Sequence, residues 1–455
     1  MLRQILIIML INQRQLRKFL TWMLVSCGLL IAIACCQQLA TKTASRPAFS
    51  TANITFTQKF PAQPIPRSLF GMHISMPSQT IWPQISFASW RLWDVSGIEK
   101  NTLIFWPHLE RFPNKWDFSS LDKYVELAQN KGVEIVYVLG LTPKWASARP
   151  TDSSAYGESV TPAEPKNLED WRNAVRTIAT RYQGKIRYYE IWNEPNLKSY
   201  YSGTIDQMVA LTREAYKILK QIDPKIQVIS PSVIAGNFGW LTKGGANWLD
   251  EYFSKGGAAY TDIVGAHFYQ DNNLPPEVII PQIQDIQKVM AKYGLAQKPL
   301  WNTETGFGNK QQNAFFSERE SMDYVARSYL INWAAGIERF YWYAWDNRMV
   351  ITLLMVEEDG KTLTAAGKAF GEIQQWLIGA EMKSCQIDGD RTWICQLVRG
   401  GEKNFWIVWN PERELTFKIP AQWQIRQFKD LTGKQTLLPQ SGDLSVERSP
   451  LLLSP

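Results

Sequence analysis

From Leu69 to Leu377 the chain alternates short β-branched and aromatic runs with longer stretches whose apolar residues recur every three or four positions. The short runs predict strands at Leu69 to Ile74, Ser89 to Asp94, Val133 to Gly140, Ile186 to Trp192, Ile226 to Ser232, Ile263 to Tyr269, Pro299 to Thr303 and Arg339 to Trp345. Helical spacing fills the gaps, as in Leu121, Val125 and Ala128, or in Met208, Leu211, Ala215 and Leu219. Strands that alternate with helices predict an α/β fold with a parallel sheet, and eight such units over about 310 residues fit a (β/α)8 TIM barrel. The rival is a doubly wound open sheet, which usually carries a phosphate-cradling glycine loop after its first strand; Gly71-Met72-His73 is not one. Helical periodicity stops near residue 380, where Lys383 to Ile387, Thr392 to Arg399, Phe405 to Trp409 and Thr416 to Ile419 read as short strands. The chain thus divides into a barrel over 66–380 and a small β-rich, sandwich-like module over 381–455.

The remaining apolar run lies near the N-terminus. A basic cluster, Arg14-Gln15-Leu16-Arg17-Lys18, precedes Phe19 to Ala34, which is short for a spanning helix of about 20 residues. The pattern over 1–36 predicts a secretory signal. Ala32-Ile33-Ala34-Cys35 resembles a bacterial lipobox, with Cys35 as the lipidated residue of an exported periplasmic or cell-surface protein; a simply secreted product or an uncleaved anchor are the alternatives. Residues 37–65, rich in Thr, Ser and Ala toward their start, read as a tether. In an exported chain, Cys385 and Cys395, flanking an Asp388-Gly389 turn signal, read as a disulfide across a hairpin, the alternative being two buried thiols.

Charge then narrows the partners. The net charge is +7, but residues 1–36 hold Arg3, Arg14, Arg17, Lys18 and no acid, so the rest of the chain is near neutral. With no run of five basic residues, no nucleic-acid partner is expected. His73, His108 and His267 are far apart and no CxxC or HExxH occurs, so no metal and no cofactor is expected. The 20 Trp stand out against 20 Phe and 17 Tyr, and indole faces suit the axial C–H groups of sugar rings.

In a barrel of this kind, reacting groups sit at the C-terminal strand ends. The fourth predicted strand ends Glu190-Ile191-Trp192-Asn193-Glu194-Pro195-Asn196, and the seventh ends Trp301-Asn302-Thr303-Glu304-Thr305-Gly306. Hydrolysis of a glycoside needs one carboxylic acid to protonate the departing oxygen and one carboxylate to attack or stabilise the anomeric carbon. Carboxylates on two different strands can flank one bond. With these stretches, Phe70-Gly71-Met72-His73, Trp90-Arg91-Leu92-Trp93-Asp94, Thr142-Pro143-Lys144-Trp145-Ala146, His267-Phe268-Tyr269 and Tyr341 to Asp346, the chain resembles the retaining glycoside hydrolases of clan A, most like glycoside hydrolase family 39, over about residues 66–380.

The resemblance implies Glu194 as general acid/base, Glu304 as nucleophile, and Asn193 as partner of the sugar hydroxyl next to the reacting carbon. Arg91 is the candidate cation that keeps Glu304 ionised, and Glu190 reads as a buried structural partner. Tyr269 is a candidate hydrogen-bond donor to the nucleophile and Trp345 a candidate floor under the sugar, with rim packing as the plain reading of each. His73 and His267 are candidates to bond substrate hydroxyls and Trp145 to form a wall, while Asp94 and Asp346 read as loop-holding residues. The expected activity is hydrolysis of an oligo- or polysaccharide with retention, endo-acting on an exopolysaccharide; exo-acting β-xylosidase-like and uronic-acid-directed activities stay open. A non-catalytic carbohydrate-binding barrel, and glycan binding through the C-terminal module, are the readings from another class.

Overall fold

The computed structural model describes residue 54 and residues 56–97, 102–236, 243–270, 274–401 and 403–455. The export segment 1–36, with Cys35, and the first part of the expected tether lie outside the described residues.

Eight parallel strands form the barrel: β1 (Phe70–Met72), β2 (Ser89–Leu92), β3 (Glu134–Leu139), β4 (Tyr188–Ile191), β5 (Gln227–Ile229), β6 (Val264–His267), β7 (Leu300–Thr305) and β8 (Ile337–Trp342). Each matches one of the predicted runs. β1 pairs with β8 in the register Phe70 to Phe340, and the barrel closes where Ile229 bridges Ile263 and Val233-Ile234 pairs with β6. Period two sends alternate side chains inward. Val136, Tyr188, Ile229, Ile263, Trp301 and Tyr341 fill one interior layer, with Arg339 toward the N-terminal end, its guanidinium 4.4 Å from the Trp301 ring. Gly71 is inward too, because a Cβ there would lie 2.5 Å from the Tyr341 ring.

The helices outside obey their sequence signals. Asn167 caps Leu168–Arg181, while Thr204 with Gln207 and Ser317 with Glu320 form capping boxes for Ile205–Ile222 and Glu318–Ala334. Met208, Leu211, Ala215 and Leu219 bury one stripe of Ile205–Ile222, as the three-and-four spacing requires. Glu318–Ala334 differs, being buried from Asp323 to Ala334, since it packs against the eighth barrel strand, Ala365–Leu377 and the turn Pro276–Val278, and Ser449 of the C-terminal module bonds Asp323.

That module contains a six-stranded antiparallel sheet. Its strands are β9 (Ala380–Ile387), β10 (Trp393–Arg399), β11 (Lys403–Trp409), β13 (Gln427–Lys429), β14 (Gln435–Leu437) and β16 (Leu451–Ser454), in the order β9-β10-β11-β16-β13-β14. A separate pair, β12 (Leu415–Lys418) with β15 (Asp443–Val446), completes a small core of Val408, Phe417, Leu444, Val446 and Leu453. Cys385 stands directly opposite Cys395 in the β9–β10 register and is disulfide-bonded to it. The residue with left-handed backbone in that hairpin is Arg391, at φ 67°, rather than the glycine of the Asp-Gly signal. The end of the expected tether is not free chain: Phe56 packs on Trp393, Lys59 N–H bonds the Ala334 carbonyl, and Ile65 is buried and pairs with Ala380.

A buried ion pair joins module to barrel. Arg327 is bonded to Glu277 through both carboxylate oxygens, and Trp409 Nε1 of β11 donates to Glu277 Oε1 at 2.8 Å, with Arg327 and Glu277 essentially sealed from solvent. Removing the cation would strand a buried carboxylate. Arg327→Met is therefore expected to cost about 3–5 kcal/mol in urea unfolding. Arg181→Met, which breaks an exposed pair with Asp122, is expected to cost less than about 1 kcal/mol.

Candidate active site

The ends of β2, β4, β6 and β7 converge on one buried guanidinium. Arg91, fully buried on β2, donates through Nε and Nη2 to both oxygens of Glu190 at 2.7 and 2.6 Å, through Nη1 to Glu304 Oε2 at 2.8 Å, and through Nη2 to Asn193 Oδ1 at 2.9 Å. Burial opposes its charge, and Glu190 followed by Glu304 holds it. Glu190 shares the inward parity of β4 with Tyr188, two residues before it, and both its oxygens are taken up by this clamp.

Local backbone explains how Glu194 reaches the axis. Beyond β4, Trp192 and Glu194 both adopt left-handed φ, 66° and 47°, and Asp94 and Leu141 do the same just past β2 and β3, at 58° and 60°. Non-glycine residues pay for such conformations, and here they turn the chain sharply at the barrel mouth. The turn is pinned on both sides. Glu194 N–H donates to the Ser232 carbonyl at 2.8 Å, and the Asn196 amide imitates a strand by bonding the Ile234 carbonyl and N–H at 3.0 and 3.1 Å. At β7, Gly306 follows Glu304 because a Cβ there would lie 1.7 Å from the Tyr343 carbonyl.

The two carboxylates differ in their partners. Glu304 accepts from Arg91 and, at Oε1, from the Tyr269 hydroxyl at 2.9 Å. Burial pushes it up to about 7, and Arg91 and the Tyr269 hydroxyl hold it back. Glu194 lacks a cation of its own; Oε1 lies 2.9 Å from His267 Nδ1. Burial and then the positive Arg91 push His267 well below its ordinary value, so the imidazole is neutral and gives Glu194 no charge to pair with. Burial first, and then the charge of Glu304, push Glu194 well above the carboxylate range. Arg91 and Tyr269 thus favour the charged form at Glu304, while Glu194 is favoured as the protonated partner, and the two titrate as a coupled pair.

One carboxylate oxygen from each and a nitrogen of His267 lie within 4.8 Å of one another. A divalent ion would fit that spacing poorly in charge, because the Arg91 guanidinium already sits on Glu304 and Glu194 holds a proton. The arrangement suits proton transfer beside a nucleophile.

A cavity of about 750 Å³ opens over the pair, walled by Asp94, Tyr156, Tyr200, Tyr269, Tyr343 and Asn347. Of the residues singled out from sequence, Glu194, Glu304 and Tyr269 line it. Arg91, Asn193 and His267 bond to those carboxylates or to each other beneath it. His73, Trp145 and Trp345 are elsewhere. His73 donates from Nε2 to the Thr303 carbonyl at 3.0 Å and meets the Tyr343 ring edge-on. Trp145 bonds the Glu110 carbonyl at 3.0 Å, and Trp345 is buried with its Nε1 3.3 Å from Thr80 Oγ1. Tyr343, rather than Trp345, lines the cavity. It continues the inward alternation Arg339, Tyr341, Tyr343 beyond β8, a signal present in the sequence.

Residues 144–370 match the family model for the glycosyl hydrolase catalytic core. A β-xylosidase of Caldicellulosiruptor saccharolyticus is 23% identical over 185 residues, 39% of this chain and 35% of that protein. A β-xylosidase of Geobacillus stearothermophilus is 22% identical over 235 residues, 47% of this chain and 45% of that one. The chain thus spans less than half the length of these relatives. The structure of a family 39 glycoside hydrolase from Bacteroides cellulosilyticus WH2 superposes with a TM-score of 0.64 at 19% identity, covering 81% of this chain and 75% of that one.

The raised carboxyl of Glu194 carries a stability consequence. The folded state keeps its proton at pH values where the unfolded chain, with a carboxyl near about 4.3, has released it, so stability falls as pH rises above that value. Glu194→Gln removes this linkage. Measured by urea unfolding, the variant is expected to match the wild type near pH 4 and to gain on it by up to about 1.4 kcal/mol per pH unit between pH 5 and 7. A difference that stays flat with pH contradicts the protonated state assigned to Glu194. In sequence and in fold, the chain resembles the glycoside hydrolases of clan A, and family 39 among them.

Proposed function

We propose that the protein is a retaining glycoside hydrolase acting on an oligo- or polysaccharide by double displacement. The observation that carries this is the asymmetry of the carboxylate pair at close range: oxygens within 4.8 Å, Glu304 bonded to Arg91 and Tyr269, and Glu194 held protonated. Retaining enzymes place their carboxyl groups about 5–5.5 Å apart, whereas inverting ones leave room for a water.

In the first step Glu304 attacks the anomeric carbon as Glu194 gives its proton to the departing oxygen, leaving a glycosyl ester on Glu304. In the second, Glu194 takes a proton from water, which attacks the same carbon and frees Glu304. Arg91 and Tyr269 stabilise the carboxylate before attack and after release. Asn193 presents its amide nitrogen to the neighbouring hydroxyl, its oxygen being engaged by Arg91.

The named relatives support a β-xylosidase-like substrate class. A cavity of about 750 Å³ supports a ligand of more than one sugar unit. Endo action on an exopolysaccharide is the finer form of the hydrolase reading, and exo action of the β-xylosidase kind is its alternative. Export through residues 1–36 belongs to the proposal as well, with Cys35 as the lipid anchor, and the Cys385–Cys395 disulfide supports an oxidising compartment.

The test is turnover of a panel of aryl β-glycosides and polysaccharides. Glu194→Ala is expected to lower kcat by about 10² to 10⁴, with the smallest losses on aryl groups that leave without a proton. Glu304→Ala is expected to abolish hydrolysis, and proton NMR of the first product is expected to show the anomer of the substrate. Unimpaired hydrolysis by Glu304→Ala, or inversion, would overturn the mechanism.

A further inference from the structure

Asp94 has no part in the double displacement, yet it faces the same cavity. It follows β2 with left-handed backbone, φ 58°, which turns its side chain to the wall shared with Tyr343 and Asn347. Its Oδ2 accepts from the Tyr343 hydroxyl at 2.9 Å, and that hydroxyl accepts from Asn347 Nδ2 at 2.5 Å. The chain Asn347 to Tyr343 to Asp94 fixes the carboxylate. Its second oxygen, Oδ1, is buried with no hydrogen-bond partner among the described residues. Burial pushes the Asp94 carboxyl above its ordinary value, and the Tyr156 and Tyr343 hydroxyls and the charge of Arg91 hold it back.

Two further observations point to a sugar rather than to loop packing. Asp94 lines the same cavity as Glu194 and Glu304, and its charge raises both, so it faces the space in which a ring would sit between those carboxylates. Among the described lining residues, the ionisable carboxyl groups are Asp94, Glu194 and Glu304 and no basic side chain joins them, so the cavity offers acceptors to hydroxyl donors and no cation to an anionic sugar.

We propose that Asp94 is a specificity residue of this site, accepting a hydrogen bond from one hydroxyl of the reacting sugar, with Tyr343 and Asn347 holding its carboxylate in place. The inference rests on the hydrolase reading above. A buried acceptor built for one hydroxyl discriminates strongly against a ligand that lacks it, because the acceptor is then left unpaired.

The experiment pairs wild type, Asp94→Asn and Asp94→Ala with the best aryl glycoside and its monodeoxy analogues. Asp94→Ala is expected to lower kcat/KM by about 10- to 100-fold on the parent sugar, the scale of a hydrogen bond to a charged group. On one deoxy analogue, itself slow with wild type, the loss is expected to be less than about 3-fold. Asp94→Asn keeps an acceptor for Tyr343 and is expected to show the same pattern with a smaller loss. A loss equal on every analogue, or a shift of the pH profile alone, would show that Asp94 acts through the backbone or through the carboxylate pair, and would overturn the proposal. An inactive wild type would refute the hydrolase reading. An active wild type whose deoxy preferences survive both substitutions would refute the role of Asp94 alone.

Discussion

Everything at the barrel mouth depends on the burial of Arg91. A guanidinium sealed from water must be matched by anions and hydrogen-bond acceptors, and here Glu190 takes the bidentate face, Glu304 one edge and Asn193 the remaining donor. That single cation sorts the acids around it. Glu304 shares it, while Glu194, two residues past the inward turn of β4, receives no direct contact and stays protonated beside a neutral His267. One positive charge set between unequal neighbours thus gives identical side chains different proton affinities, the difference that the proposed acid and nucleophile require.

Backbone strain makes that sorting possible. Asp94, Leu141, Trp192 and Glu194, all with left-handed φ, follow β2, β3 and β4, on one side of the mouth. A helix-capping or hairpin glycine would relax such turns but would carry no functional side chain. Two of the strained residues instead line the cavity. Away from the mouth the fold is conventional in its bonding, with capped helices outside, a filled barrel interior, and the Glu277–Arg327–Trp409 contact holding the module in place.

Much of this was legible in the sequence, for definite reasons. Strand and helix periods gave all eight barrel strands, because the strands bury both faces and helices such as Ile205–Ile222 a single stripe. Glu194 and Glu304 were legible because strand ends in a barrel have a known destination. The Trp count misled: indoles such as Trp90, Trp171, Trp192 and Trp342 fill the space between strands and helices, and the aromatic residues that line the described cavity are tyrosines. Trp145 and Trp345 were drawn in by proximity to motifs, whereas strict alternation along β8 points to Tyr343. Asp94 could not be separated from a loop-holding aspartate without the unpaired oxygen that only three-dimensional placement reveals. His73 lies on the inward parity yet beneath Tyr343, a depth that periodicity alone does not give.

The central claim is that Glu304 forms a covalent bond with the sugar while Glu194 carries the proton. An activated glycoside with fluorine next to the anomeric carbon slows both steps, and its good leaving group lets the first outrun the second. Such a compound is expected to add one glycosyl mass to the protein, and peptide mapping is expected to place the mass on Glu304. A label on Glu194, Asp94 or any other residue, or turnover by inversion with no label formed, would contradict it.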